Sequence, residues 1–418
     1  MATAMLTSLP KYFEYRLDLA RFVTPRMLMD QPVHRWFYFP HSFSPQLVEM
    51  LLLEWQVEPG SVIIDPFVGA GTTMRAAQKM GIDCIGADLS PLSVLVSNVK
   101  VGRYEIGCVE DALNSIHRSQ QPSIEVDISR NHRLQRAFTS GEFAQLVTLR
   151  QAIMQQSECV RDLFLVGLLR TQQSISRAVP DGGWFRWIER DPLDSEVWQR
   201  FEVQMRRILD DIRRSKPPAD GTWHAHIHDA RDLLGLRARQ PALHSGCQAL
   251  ITSPPYPNRH DYSRVFQIEL LTLGLQEEDV FELRHNSLRS HVEARAPKGS
   301  EYPFVMPVAL VDVLDSLPEE VDKRIAPMLQ GYFEDMSVVL HSAYELLSPG
   351  GKLALVVGNV RHAGVMVPVD EILMELGKSI GYVPEMAWVA RLRGNSAQQM
   401  GKFGRAPARE SIVILQRP

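Results

Sequence analysis

The chain has 418 residues, 45% apolar and 22% charged, with a net charge of −4 at pH 7, enough to bury one large core plus an inserted or appended unit. No run approaches the ~18 apolar residues of a membrane span, and the first thirty residues lack the basic, apolar and small-residue order of a secretion signal. Four scattered cysteines fit a reducing cytoplasm better than a disulfide framework.

In chain order, the first informative stretch is Phe37-Tyr38-Phe39-Pro40-His41-Ser42-Phe43-Ser44-Pro45, which leads into an amphipathic helix over Gln46–Trp55. Ser44 suits the N-cap and Pro45 the first helical position. Ser61-Val62-Ile63-Ile64-Asp65 is a β-branched run ending in an acid, the pattern of a buried parallel strand. It feeds the turn Asp65-Pro66-Phe67-Val68-Gly69-Ala70-Gly71-Thr72, where Gly69 and Gly71 allow a tight turn and close approach to a ligand. Thr72 and Thr73 open a helix over Met74–Met80 that Gly81 ends. A second strand, Cys84–Ala87, ends at Asp88, where an acid is placed to accept both hydroxyls of a ribose. A dinucleotide fingerprint would need a third glycine where Met74 stands, and Pro66-Phe67 suits a loop packed on an adenosyl group rather than a pyrophosphate turn.

The next expected acid-tipped strand, through His226 and His228 to Asp229, lies some 140 positions after Asp88. Residues 107–221 are therefore surplus to a nucleotide-binding core. They read as helices over Phe143–Gln155, Cys159–Ser176 and Ser195–Ser215, with an aromatic and basic loop, Asp181–Arg190, between the last two. Arg206, Arg207, Arg213, Arg214 and Lys216 crowd the end of the last helix. The expected division is an extension over 1–36, a cofactor-binding half over 37–106, the helical insertion over 107–221 and a catalytic half over 222–418. The insertion suits a target-recognition element, or else a dimerisation or lid subdomain. Asp229 ends this third acid-tipped strand, while Asp232 reads as charge in the first turn of a helix. His224, His226 and His228 read as a solvent-facing row without metal-ligand spacing, so no metal is expected.

Ala249-Leu250-Ile251 is a short buried strand ending in Thr252-Ser253-Pro254-Pro255-Tyr256. Ligands collect at such strand ends in open α/β sheets. The two prolines stiffen the turn. Ser253 offers a hydroxyl oxygen and Pro254 a carbonyl, two acceptors for one planar amine, and Tyr256 offers a stacking face. Two basic stretches follow, Asn258–Arg264 and Leu283–His291. Leu347–Asn359 is a Pro-Gly-Gly turn and a buried strand, with Asn359 at its tip facing the same pocket. Strands over Met386–Val389 and Ser411–Gln416 form a closing hairpin around a loop rich in Gly, amides and base: Arg391–Arg409 holds five basic residues and no acid.

The Asp65–Thr72 turn and the Ser253–Tyr256 clamp, in this order, resemble the two signature motifs of the S-adenosylmethionine-dependent DNA amino-methyltransferases, of the Ser-Pro-Pro-Tyr subgroup. The resemblance covers about Phe37–Val101 and Trp223 to the C-terminus. It implies a class I methyltransferase: a Rossmann-like α/β fold with a seven-stranded, mostly parallel sheet and an antiparallel C-terminal hairpin, here carrying a helical insertion. It implies S-adenosylmethionine as cofactor, held by Phe43, Asp65, Phe67, Gly69, Gly71, Thr72, Asp88 and Asp229, with Asp65 meeting the methionine ammonium and Phe67 packing on the ligand. Ser253, Pro254, Pro255 and Tyr256 would be catalytic, acting on a base swung out of duplex DNA. A serine at the first clamp position leans toward cytosine N4, with adenine N6 the alternative; an RNA methyltransferase and an idle DNA-binding protein are more distant readings. Carbon-5 methylation needs a thiolate, usually following proline, whereas Cys84, Cys108, Cys159 and Cys247 follow Asp, Gly, Glu and Gly.

Double-stranded DNA is then the partner, and the resemblance admits a cognate restriction endonuclease in a prokaryotic cytoplasm. Arg259, Arg264, Arg284, Arg289, Arg391, Arg393, Lys402 and Arg405 are the expected phosphate contacts, Arg259 and Arg264 being equally suited to salt bridges. Asn395, Gln398 and Gln399 can reach base edges. Oligomeric state is left open.

Overall fold

The apolar runs that read as buried strands assemble, in a computed structural model, into one eight-stranded sheet. The structure describes residues 10–118, 125–129, 131–181, 184–193, 196–215, 220–259, 261–297, 303–393 and 407–418. The chain begins with β1 (Phe13–Tyr15), α1 (Pro45–Glu54), β2 (Val62–Asp65), α2 (Thr72–Lys79), β3 (Asp83–Asp88) and α3 (Pro91–Val101). Helices α4 (Ile106–Arg118), α5 (His132–Ala137), α6 (Ser140–Met154), α7 (Glu158–Ile175) and α8 (Val197–Arg214) follow. A hairpin of β4 (Ala178–Asp181) and β5 (Trp184–Trp187) precedes α8. The sheet resumes with β6 (Trp223–Ile227), α9 (Leu233–Arg239) and β7 (Cys247–Thr252). Short helices α10 (Tyr262–Val265), α11 (Gln267–Leu273), α12 (Glu277–Asn286) and α13 (Val308–Asp315) lead to the long α14 (Ile325–Leu346). Strand β8 (Leu347–Gly358), the small hairpin β9 (Val360–His362) and β10 (Val365–Val367), α15 (Val369–Ile380), β11 (Val383–Arg393) and β12 (Ala408–Gln416) complete the chain.

Strand order is β1-β11-β12-β8-β7-β2-β3-β6. Strands β6, β3, β2, β7 and β8 run parallel, and β12 is antiparallel to both β8 and β11. This is the class I methyltransferase arrangement, with one strand more than the seven expected. The addition is β1, which pairs in parallel with β11 through Phe13–Tyr15. Three residues are too few for a readable period, and a backbone pairing leaves no mark in composition. The chain winds outward from β2 through β3 to β6 and then returns to place β7 on the other side of β2. The crevice at the carboxyl ends of β2 and β7 is therefore a topological switch point, where open α/β sheets bind ligands.

Leu47, Leu51, Ile63, Met74 and Ile251 lie in the apolar layer that α1 and α2 form on one face of the sheet, together with Leu19 and Val23 from the N-terminal segment. Helices α9, α14 and α15 cover the other face. A third cluster joins the inserted helices α4–α8 to α3 and to Val265, Phe266, Ile268 and Leu270 after the clamp. Buried Asp211 on α8 ties the insertion to the N-terminal segment, accepting from Val33 N (3.2 Å), Arg35 Nε (3.0 Å) and Trp36 Nε1 (2.9 Å). The stretch expected as an aromatic and basic loop is in part the β4–β5 hairpin, with Phe185 buried and Arg186 exposed in the alternation of a strand. Among the described residues, no helix is long and apolar enough to cross a membrane.

Candidate active site

Strand β2 delivers Asp65 to the switch point, 2% exposed. Its Oδ1 accepts from the Thr252 hydroxyl of β7 (2.6 Å) and the Phe67 amide (3.2 Å). Burial pushes this carboxyl up to about 6, with the Asp88 charge adding to the effect and the hydrogen bonds opposing it. The following turn needs its glycines for separate reasons. Gly69 (φ +49°) donates to Asp88 Oδ2 at 3.1 Å. Gly71 (φ +75°) packs against α3, where a Cβ would lie 2.9 Å from the Ser97 Cα. Two donors on α3 then catch the turn's carbonyls: Ser97 Oγ reaches Gly69 O at 3.0 Å and Lys100 Nζ reaches Ala70 O at 3.1 Å. Because a trans peptide points its C=O and N–H in opposite directions, the bond to Gly69 O turns the Ala70 N–H away from α3. Lys100 is buried, and burial pulls its amine down to about 7.

Asp88, at the tip of β3, also accepts from Ser90 N at 2.8 Å, and burial raises its carboxyl above the ordinary range. Buried Asp65 and partly buried Asp88, neither paired with a cation among the described residues, fit a ligand bearing an ammonium at one end and hydroxyl donors at the other.

The clamp leaves β7 immediately beside this. Ser253 Oγ donates its proton to Val356 O on β8 at 2.9 Å, so toward the cavity the oxygen can act only as an acceptor. The Tyr256 ring lies against Gly358, where a Cβ would stand 3.0 Å from Cε2. Burial raises the Tyr256 phenol above its ordinary value, keeping it neutral. A cavity of about 250 Å³ is lined by both halves: Phe43, Asp65, Phe67, Gly69, Thr72, Asp88 and Asp229 on one side, Ser253, Pro255 and Tyr256 on the other. Of the expected site residues in these two motifs, Gly71 and Pro254 do not line it.

A family profile described as DNA methylase matches residues 22–97. The type II methyltransferase M.BsoBI of Geobacillus stearothermophilus is 28% identical, over 93% of this chain and 86% of its own. M.AvaI of Nostoc sp. is 28% identical over 93% and 87%, and M.MvaI of Kocuria varians 19% over 82% and 81%. Over nearly its whole length the chain is similar to type II methyltransferases, and its cofactor-binding half to the DNA methylase family. S-adenosylmethionine is the methyl donor that this family implies.

Three other expectations change in the folded protein. Asp229 lines the cavity, but Arg231 holds both of its oxygens (Nε to Oδ1 3.0 Å, Nη2 to Oδ2 2.6 Å). The histidines are not a solvent-facing row: His224 is exposed, His226 intermediate and His228 buried, its Nε2 2.5 Å from Asp232 O. Asp232 caps α9 by accepting from Gly235 N at 3.0 Å, as its place in the sequence suggested. Asn359 does not line the cavity; it is buried at the start of α15 and accepts from Asp370 N at 3.2 Å.

The basic residues divide sharply. Arg289 is committed to Asp335 (2.5 Å) and Glu334 (2.8 Å), and Arg284 Nε to Asp261 (2.7 Å). Arg264 is bound by Glu293 at 2.5 Å. These three are structural ion pairs rather than ready phosphate contacts, because acids distant in sequence fold onto them. Arg259, exposed at φ +71°, pairs with Asp322 at 3.5 Å. Arg391 is held by Glu410, with Nε and Nη2 at 2.7 and 2.6 Å, and both line the cavity beside exposed Arg393. Asn395, Gln398, Gln399, Lys402 and Arg405 lie outside the described residues. Asp261, His291 and Glu293 offer ligand atoms within 4.8 Å of one another, but Arg264 and Arg284 already serve the two carboxylates.

Sequence reasoning missed several cavity residues. Tyr262 lines the wall, its ring edge-on to His41 at 5.1 Å, and Phe266 stacks on Phe39 at 4.7 Å. Glu410 is 4% exposed and sits mid-strand, with nothing local to mark it. Ser97 and Lys100 had one available signal: two polar side chains three apart, on one face of the helix after the second strand, which also carries Ser93 and Asn98.

Proposed function

We propose that this protein transfers a methyl group from S-adenosylmethionine to the exocyclic N4 amine of a cytosine swung out of duplex DNA. The observation that carries the reading is the shared cavity, which sets the Asp65–Asp88 acid pair, suited to a cationic, hydroxyl-bearing ligand, against an acceptor-and-ring clamp suited to a planar amine. The DNA methylase profile and relatives that are type II methyltransferases support DNA as the substrate, and a restriction-modification setting with a cognate endonuclease as companion.

The bound cofactor supplies an electrophilic methyl on a sulfonium. In this reading Asp65 meets its ammonium, Asp88 its ribose hydroxyls, and Phe67 and Phe43 its apolar surfaces. The base amine is a poor nucleophile because its lone pair is delocalised into the ring. Ser253 Oγ accepts from one of its N–H groups and favours a tetrahedral nitrogen whose lone pair points at the methyl. Tyr256 stacks on the ring and fixes its plane. Positioning of this kind accounts for most of the barrier reduction in a displacement from a good leaving group.

The test is expression in a methylation-free bacterial host, followed by nucleoside mass spectrometry of its DNA. N4-methylcytosine is the expected product. N6-methyladenine alone would refute the base, and unmodified DNA beside methylated tRNA would refute the substrate. In the purified enzyme, Tyr256→Ala should cost about 1–3 kcal/mol of base stacking, lowering methyl transfer far more than duplex binding. Ser253→Ala should spare both binding steps and lower turnover, since its acceptor matters most as the nitrogen becomes tetrahedral.

A further inference from the structure

A second recess, of about 370 Å³, lies between the helical insertion and the segment that walls the active-site cavity. Its lining is dominated by guanidinium groups: Arg35, Arg170 on α7, and Arg207 and Arg214 on α8. Arg35 is already spent on buried Asp211. The other three are not. Arg170 has only a long contact to Gln173 Oε1 at 3.4 Å, and burial, aided by the neighbouring Arg207 charge, lowers its affinity for its proton. Arg207 and Arg214 are exposed and make no side-chain hydrogen bond or ion pair among the described residues. Of the two acids in the lining, Asp210 is already paired with Arg213 at 3.2 Å.

That leaves exposed Asp30 as the one other acid lining the recess against three guanidinium groups, and such an excess of like charge is costly and points to an anionic ligand. Gln204, Arg207 and Arg214 share one face of α8, and the two arginines are separated by about 10 Å of helix rise. That spans roughly three base steps of 3.4 Å along a DNA strand, a fit to a polyanion rather than to a single small anion. The planar forks of arginine match phosphate oxygens. The recess also shares a wall with the active site: Pro25 and Phe39 line the first cavity, and Met29 and Trp36 the second. Gln173, on the helix of Arg170, fastens that wall by donating to Tyr38 O at 3.3 Å and Glu269 Oε1 at 3.2 Å.

We propose that Arg170, Arg207 and Arg214 form a backbone-phosphate site that grips duplex DNA beside the extruded nucleotide, making the inserted helices part of the DNA-binding surface. The inference rests on the reading of the protein as a DNA methyltransferase. The experiment compares the full-length parent with Arg207→Gln/Arg214→Gln, whose changes lie on an exposed helix face, and separately with Arg170→Gln. Duplex affinity is measured from 50 to 200 mM salt, alongside cofactor affinity and steady-state methylation. The double variant should show a log–log salt slope shallower by about 1.8, at about 0.9 for each lost phosphate contact. Its KM for DNA should rise, with kcat at saturating DNA and cofactor affinity kept. Arg206→Gln, whose side chain pairs with Glu202 at 2.6 Å, should match the parent. A double variant that keeps the parental slope while the parent methylates duplex DNA overturns the phosphate site alone. A parent that neither binds nor methylates duplex DNA overturns the site and the proposed function together.

Discussion

Asp65→Asn separates cofactor recognition from folding at a single position. The carboxyl is buried, faces the cavity and has no cation beside it, so burial holds it up to about 6. Between its ordinary value of 3.8 and about 6, the folded apo-protein binds more protons than the unfolded chain, and apo stability falls as pH rises through that window. At 1.36 kcal/mol per unit of pH, the cost at neutral pH is about 3 kcal/mol. Asparagine carries no such cost and can still accept from Thr252, so the apo variant should be more stable than the parent at pH 7 and equal to it near pH 4. Cofactor binding should move in the opposite direction. Losing a charged hydrogen bond worth about 1.5–3 kcal/mol weakens affinity by roughly 10- to 150-fold. The parent's Kd should also rise about tenfold per unit of pH below 6 as Asp65 takes up its proton, while the variant's stays flat. Calorimetric titration with S-adenosylmethionine from pH 5 to 8, with urea unfolding of the apo-proteins, measures both effects. A variant that binds the cofactor as tightly as the parent, with the parent's pH profile, would remove Asp65 from the cofactor site.

Gly358→Ala places a methyl 3.0 Å from Tyr256 Cε2, so the ring must shift by a few tenths of an ångström or more. Turnover should drop at least several-fold with thermal stability and cofactor affinity near parental, and unchanged turnover would show that the position of the ring is not critical. Lys100→Met removes the donor that holds Ala70 O while keeping an apolar stem of similar length. KM for the cofactor should rise several-fold with kcat retained. Because burial holds the Lys100 amine down at about 7, the unfolded chain binds one more proton between about pH 7 and 10.5, so the parent gains stability as pH rises through that window. Urea unfolding should show a smaller gain in the variant; an equal gain would place the amine in solvent.

The two motifs were legible because their chemistry is local. Pro254 and Pro255 stiffen a turn wherever they stand, Gly71 adopts φ +75° because it lacks a Cβ, and Ile63 and Ile64 are β-branched in a strand buried on both faces. The helices of the insertion were legible in the same way, from apolar spacing. Arginine partners were not legible, because an ion pair depends on which acid the fold brings near: Asp335 reaches Arg289 across 46 positions and Glu293 reaches Arg264 across 29. Asn359 misled for a similar reason. It stands at a strand tip beside the pocket, yet α15 begins against it and claims its side chain.

By itself the sequence determined the parallel core strands, the glycine turn after β2, the clamp after β7 and the identity of the groups they carry, since each depends on backbone preferences over a few residues. Tertiary structure alone decided that Asp65 and Ser253 share one cavity, because β2 and β7 become neighbours only where the winding of the sheet reverses. It also decided that β1 joins the sheet and that the inserted helices share their core with α10–α12. Those placements come from pairing and packing between segments distant in the chain, and no local pattern encodes them.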